Sequence, residues 1–251
     1  MPKKEEKDER GNLKAEKVFN MSIRKIITIS LPLPYRLGTV NCYLIKTDTG
    51  YILIDTGCSN NRTELEKELE RAGCKPGNLK LIVLTHGDFD HTGNAAHLRK
   101  KFCLKIVIHN GDSGMVERED MFWNRRKGNI FLRIIVRILF RFGKKERFKP
   151  DFYIDEGCDF SDYGFDAKVL HIFGHSKGSI GILTADGNLF CGDLLENEDK
   201  PVLNSIMDDL TEANASIEKL KKFEVSTVYP GHGKSFPMEM FIKQSKQNVH
   251  G

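Results

Sequence analysis

The stretch Leu81–Asn94, LIVLTHGDFDHTGN, carries an apolar run that stops at Thr85 and gives way to two His and two Asp within six residues: His86, Asp88, Asp90 and His91. Neutral imidazole nitrogen and ionised carboxylate oxygen are the common ligands of zinc and iron. Three more residues of the same types lie downstream, each beside glycine and each just after an apolar stretch: His175 in GHSKGS, Asp193 in FCGD and His232 in YPGHG. One strand-end His is usually structural. Seven ligand-type residues at four strand ends point to a metal centre, because loops at the carboxyl ends of α/β strands converge in space. The neighbouring glycines permit tight turns and close backbone approach.

The elements that must position these residues follow from periodicity. Residues 22–30, 40–46 and 51–55 are β-like, with Thr49-Gly50 turning between the last two. Residues 61–73 pattern as an amphipathic helix with Leu65, Leu69 and Ala72 on one side and Gly73 as its stop. Residues 81–85 read as a strand buried on both faces, 94–102 as a helix and 105–109 as a strand. Strands follow at 168–173, 180–184, 188–191 and 225–229, and a helix at 209–222, where Leu210, Ala213, Ile217 and Leu220 recur at helical spacing. Strand and helix alternate through both halves, which makes the fold class α/β.

The chain of 251 residues can bury a substantial core. Residues 1–20 are polar and charged and read as a disordered tail, leaving 21–251 as one domain. The tail lacks the apolar core of a secretory signal, and no uncharged apolar run reaches the length of a membrane span. The six Cys form no CxxC pair, so reduced thiols and a cytoplasmic location are expected. Cys58 and Cys191 read as small packing residues, with an oxidisable thiol as the alternative. A net charge of +4 is too small to imply a nucleic-acid partner.

Taken together, DTG at 55–57, THGDFDH at 85–91, GHSKGS at 174–179, GD at 192–193 and GHG at 231–233 resemble the metallo-β-lactamase superfamily, from about Ile23 to Pro237. The resemblance implies a four-layer αβ/βα sandwich with two divalent metal ions at one edge of its two sheets. It implies that His86, Asp88 and His175 hold one ion, that Asp90, His91 and His232 hold the other, and that Asp193 bridges them. Asp55 falls where the family keeps an Asp that orients a ligand His. Asp88 departs from the pattern, since most members have a second His there, although flavodiiron proteins on the same fold have an acid. Asp88 adds one negative charge to the core relative to His, and this harder donor set tolerates iron or manganese better than an all-imidazole face would. Zinc also remains compatible.

The family also implies a hydrolase that activates a bridging water between its metals, with Asp90 and Asp193 as catalytic groups. A lactone, ester or thioester is the first expected small-molecule substrate, and a phosphoester the second. The alternative class is a diiron protein that handles O₂ or NO, or a ligand sensor.

One segment breaks the α/β rhythm. An insertion at about 112–149 is basic and apolar at once: Met115–Lys149 holds eleven Lys or Arg against four acids. Arg133, Arg137 and Arg141 line up on one helical stripe within it. It reads as a helix packed on the sandwich, as a homodimer contact, or as a lid in which Phe122, Trp123 and Phe131 line the substrate pocket. Interfacial membrane contact through 121–149 is the weakest reading. Lys177 is either solvated or in contact with an anionic substrate. His109 and His171 are expected to be wall or core residues.

Overall fold

The structure, a computed structural model, describes residues 25–125 and 146–247. The first sheet is built in chain order from β1 (Ile26–Pro32), β2 (Thr39–Thr47), β3 (Gly50–Ile54), β4 (Leu79–Val83), β5 (Lys105–Ile108) and β6 (Phe152–Tyr153). Its first three strands run antiparallel, and from β3 onward neighbours are parallel. The second sheet begins with β7 (Asp159–Phe160), β8 (Phe165–His171), β9 (Ile180–Thr184) and β10 (Asn188–Gly192). The chain then leaves it for a small hairpin, β11 (Leu195–Glu196) and β12 (Val202–Leu203), and returns as β13 (Thr227–Pro230) beside β10 and β14 (Phe236–Pro237).

Among the described residues, six α-helices accompany the sheets: α1 (Arg62–Arg71), α2 (Phe89–Thr92), α3 (Ala95–Phe102), α4 (Asn110–Arg118), α5 (Leu210–Leu220) and α6 (Met238–Gln247). Three apolar seams hold the layers together. Leu65 and Leu69 of α1 and Leu98 and Phe102 of α3 pack on the outer face of the first sheet. Tyr43, Ile54 and Val83 meet Val169, Ile182 and Phe190 between the sheets. Ala213, Ile217 and Leu220 of α5 and Phe241 of α6 cover the outer face of the second. Burial on both sides explains why the central strands are apolar throughout rather than alternating. Three seams separate four layers, so the architecture is the expected αβ/βα sandwich.

Most predicted elements appear with shifted ends. The strand expected at 81–85 covers Leu79–Val83, because the Thr85 N–H turns out of the ladder to donate to Asp55 Oδ1 at 2.8 Å. The strand expected at 168–173 ends at His171, and Ile172 N instead meets Ser179 O. The strand expected at 22–30 runs from Ile26 to Pro32, while residues 22–24 lie outside the described residues.

Three of the described helices are not placed by periodicity: the single turn α2, α4, which overlaps the expected insertion, and α6. In α4 the glycines masked the pattern. His109 caps this helix by accepting from Gly111 N at 3.0 Å, and a Cβ at Gly114 would overlap the indole of Trp123. In α6 the amphipathic face, with Met238 and Phe241 buried, lies beyond the last family motif. Of the expected insertion, α4 occupies 110–118 and residues 126–145 lie outside the described residues, together with Phe131 and the Arg133/Arg137/Arg141 stripe. Among the described residues no helix is long and apolar enough to cross a membrane.

Candidate metal centre

All four candidate loops open on one edge of the sandwich. His86 and Asp88 follow β4, Asp90 and His91 ride on the short α2, His175 follows β8, Asp193 follows β10 and His232 follows β13. The structure brings all seven side chains together in two linked groups. In the first, His175 Nε2 is 3.0 Å and His86 Nε2 3.7 Å from Asp88 Oδ2, and both lie about as far as 4.0 Å from Asp193 Oδ2. In the second, His91 Nε2 is 3.2 Å from Asp193 Oδ1 and 3.8 Å from Asp90 Oδ2. His232 Nε2 there is 3.2 Å from Asp193 Oδ2 and 3.5 Å from Asp90 Oδ2. Asp193 belongs to both groups. Ligands bonded tetrahedrally at about 2.1 Å stand roughly 3.4 Å apart, so both sets of spacings fit a metal.

The outer hydrogen bonds fix which imidazole nitrogen faces inward. His175 Nδ1 lies 2.7 Å from Ile206 O and His232 Nδ1 2.8 Å from Thr39 O. A carbonyl only accepts, so each Nδ1 carries the proton. His91 Nδ1 donates to Asp55 Oδ2 at 2.8 Å. Thr85 Oγ1 donates to Asp55 Oδ2 at 2.7 Å and accepts from His86 Nδ1 at 3.0 Å. In the neutral rings all four Nε2 lone pairs therefore point at carboxylate oxygens. Buried His86 Nε2, His91 Nε2 and Asp193 Oδ1 have no hydrogen-bond partner among the described residues. Lone pairs facing lone pairs is the arrangement a cation resolves, so the donor set fits bound metal.

The electrostatics of the site carry the same demand for positive charge. Burial pulls the His232 imidazole down, but Asp193 and Asp90 outweigh it and push it up to about 11. Burial likewise works against His91, and Asp193, Asp55 and Asp90 raise it well above its ordinary value. Burial raises Asp193, yet His232 and His91 hold its carboxyl well below the usual range. The Cys191 thiol, one residue before Gly192, is pushed up to about 12 by burial, and burial raises Cys58 further still, so neither is a ready thiolate.

Backbone geometry supports the loops. Asp55 sits in the left-handed region at φ 59°, a strained choice for a residue with a Cβ, and this aims its carboxylate at Thr85 and His91. Gly231 is required by close approach, because a Cβ there would overlap Asp193 Oδ1 and crowd His91. Asn41 and Tyr43 of β2 reach across to the second sheet. Asn41 Nδ2 donates to Gly233 O at 2.7 Å, and Tyr43 Oη donates to Pro230 O at 2.5 Å. Asp112, buried on α4, accepts from Gly87 N at 3.0 Å, Ser176 Oγ at 2.6 Å and Gly178 N at 2.8 Å, and so ties the loop of His86 to that of His175.

The largest addition to the sequence reading is Arg125. Its Nη2 donates to both oxygens of Asp88 at 2.8 Å and lies 3.3 Å from His175 Nε2, with the side chain 11% exposed. Burial raises Asp88, but Arg125 and then His175 hold it far below the usual carboxylate range. The basic excess around residues 115–149 was the available signal.

A cleft of about 640 Å³ opens over the centre, with Asp88, Asp90, Asp193 and His232 on its floor. Of the expected pocket residues, the described Phe122, Trp123 and Lys177 do not line it. A turn in which Trp123 N meets Asp120 O directs Met121 and Arg125 to the cleft, while Phe122 and Trp123 are not in its lining. The Trp123 ring lies against Gly114 and under the Arg118 guanidinium at 3.9 Å. Lys177 Nζ donates to Asn124 Oδ1 at 2.9 Å and borders a separate recess with Phe173 and Asp208.

A family model described as the metallo-beta-lactamase superfamily matches residues 35–232. The chain is 30% identical over 161 residues to hydroxyacylglutathione hydrolase GloC of Haemophilus influenzae, covering 62% of this chain and 66% of that protein. It is 26% identical over 210 residues to a beta-lactamase-like protein 2 homolog of Caenorhabditis elegans, covering 80% of this chain and 58% of that protein. The chain thus spans less than two thirds of these curated relatives. Among solved structures, TTHA1623 in a di-iron-bound form superposes with a TM-score of 0.66 at 24% identity, over 85% of this chain and 96% of that one. That likeness is one of fold.

Proposed function

The chain belongs to the metallo-beta-lactamase superfamily, and from that premise we propose that it is a metal-dependent hydrolase of an acyl thioester or ester. The observation that carries the reading is the cleft. Its floor is the ligand cluster, and its walls include Leu33, Leu37, Met121, Val202 and Ile206. An acyl chain laid on that apolar wall brings its carbonyl carbon down to the carboxylates and imidazoles. The resemblance to a hydroxyacylglutathione hydrolase supports placing thioesters first.

His86, Asp88 and His175 would hold one divalent ion, and Asp90, His91 and His232 the other, with Asp193 shared. Ions held there supply Lewis acidity and lower the pKa of a coordinated water. Asp90 Oδ2, 3.5 Å from His232 Nε2 and on the cleft floor, is placed to hold a proton from the attacking water and return it to the leaving sulfur or oxygen. Asp193 fixes the spacing of the two halves, and Asp55 keeps His91 in the correct tautomer.

Phosphoesters rank second. Glu196, Glu198 and Asp199 line the cleft against Lys200 and an Arg125 already paired with Asp88, and this surplus of carboxylates repels an anionic diester.

The test is metal-reconstituted protein assayed with a neutral acyl thioester, an aryl ester, a lactone and an aryl phosphodiester. The thioester or ester should give the highest kcat/KM. A phosphodiester preference would overturn the ranking, and O₂ or NO consumption by iron-loaded protein without esterase activity would replace hydrolysis by redox chemistry.

A further inference from the structure

The two halves of the centre differ in one respect that their ligand types do not predict. Three of the four donors of the first half are Asp88, His86 and His175, and Arg125 already engages two of these. Its Nη2 satisfies both Asp88 oxygens and approaches the inward lone pair of His175. The second half has no such neighbour. Among the described residues, the ion-pair partners of Asp90 and Asp193 are the imidazoles themselves.

A guanidinium does not give up its proton near neutral pH, so a metal arriving at the first half competes with a fixed positive charge for the same carboxylate. The docked arginine is nevertheless incompletely satisfied. It holds Asp88 through one nitrogen, and its buried Nε has no partner among the described residues. Arg125 also lines the cleft, which gives the side chain somewhere to go.

We propose that Arg125 is a built-in competitor for the first metal position, so that Asp90, His91, His232 and Asp193 load first and tightly, while His86, Asp88 and His175 load only as Arg125 swings into the cleft. The protein then exists in a one-metal form in which the guanidinium supplies the missing positive charge, and in a two-metal form in which it faces the substrate space. This inference rests on the metal-centre reading above.

Calorimetric titration of metal-stripped protein with Zn²⁺ in a weakly chelating buffer tests it, with bound metal counted by elemental analysis. Wild type should bind in two separated phases. His232→Ala should abolish the tight phase, and His175→Ala the weak one. Arg125→Ala should tighten the weak phase by about tenfold to a hundredfold, the range of a charge-assisted hydrogen bond, and leave the tight phase in place. Arg125→Lys, which keeps the charge, should fall between.

Two phases of equal affinity in wild type overturn the proposal whether or not the Arg125 variants fold, as does a weak phase unchanged in a folded Arg125→Ala. Absence of any binding instead sinks the metal-centre reading itself.

Discussion

Among the described residues two clusters of His and Asp stand in this fold, and the outer hydrogen bonds suit only one of them to a metal. In the buried centre every ring donates outward through Nδ1 and presents Nε2 to carboxylates. The other cluster, His109, Asp155 and His171, brings its ligand atoms just as close together. There His109 Nδ1 accepts the Gly111 N–H as the cap of α4, which puts the ring proton on Nε2, facing Asp155 at 3.4 Å. His171 donates through Nε2 to Lys177 O. Only one lone pair remains for a metal, beside an exposed Asp155. Residue type and proximity are shared. The outer hydrogen-bond partner makes the difference, because it decides which nitrogen is a ligand.

Removing metal should have the largest effect. Exhaustive chelation should lower the thermal midpoint by about 10 °C, with recovery on adding Zn²⁺ or Fe²⁺, since a ligand present at about a thousand times its Kd contributes about 4 kcal/mol. An unchanged midpoint would mean that the buried cluster behaves like the exposed one. Next in size is Asp112→Ala, which orphans Gly87 N, Gly178 N and Ser176 Oγ between the two metal loops. Chemical denaturation should show a loss of about 3 kcal/mol.

Asp55→Asn should leave the fold in place but weaken metal binding about tenfold to a hundredfold, measured by chelator competition. An amide cannot accept from Thr85 N, Thr85 Oγ1 and His91 Nδ1 together. His109→Ala should cost only about 1 kcal/mol through the lost helix cap and leave the metal count unchanged. A drop in bound metal would show that the exposed cluster is a site after all.

The smallest effect concerns protons. Burial, reinforced by the neighbouring His109, pulls His171 down from 6.5 to about 4. Between these values the unfolded chain binds a proton that the folded one does not, so stability rises with pH across that window and falls on acidification. His171→Phe should flatten the slope between pH 4 and 6.5 by about 1 kcal/mol, seen in denaturation series at stepped pH.

The sequence made the metal-type residues legible because each stands at the end of an apolar run beside a glycine, a local signal. It also made the sandwich legible, through continuous apolar strands alternating with one-sided helices. What it hid is tertiary. Asp112 looked like one more polar residue between a strand and a basic segment, and its three donors come from loops 25 to 66 positions away. Arg125 was lost among eleven basic residues of 115–149. Phe122 and Trp123 read as pocket lining from their apolarity, but a turn stabilised by Asp120 swings them outward and hands the cleft to Met121 and Arg125. Helix α4 was obscured because Gly111 and Gly114 are there for close contacts that no propensity scale registers.

The stitching of β2 to the last loop has a consequence in time. His232 takes its orientation from Thr39, and Pro230 and Gly233 take theirs from Asn41 and Tyr43, pairs 187 to 193 residues apart. Such contacts close almost the entire chain into a loop and belong to the slow end of assembly. Half a centre, His86 through His91, is translated early and has nothing to share an ion with until the distant turn arrives. Metal capture during refolding should therefore lag the docking of the two sheets in stopped-flow experiments, and capture that precedes docking would contradict this order. A ribosome-bound chain lacking the final strands offers iron or zinc no finished seat, so the commitment of metal doubles as a readout that synthesis has run through β13.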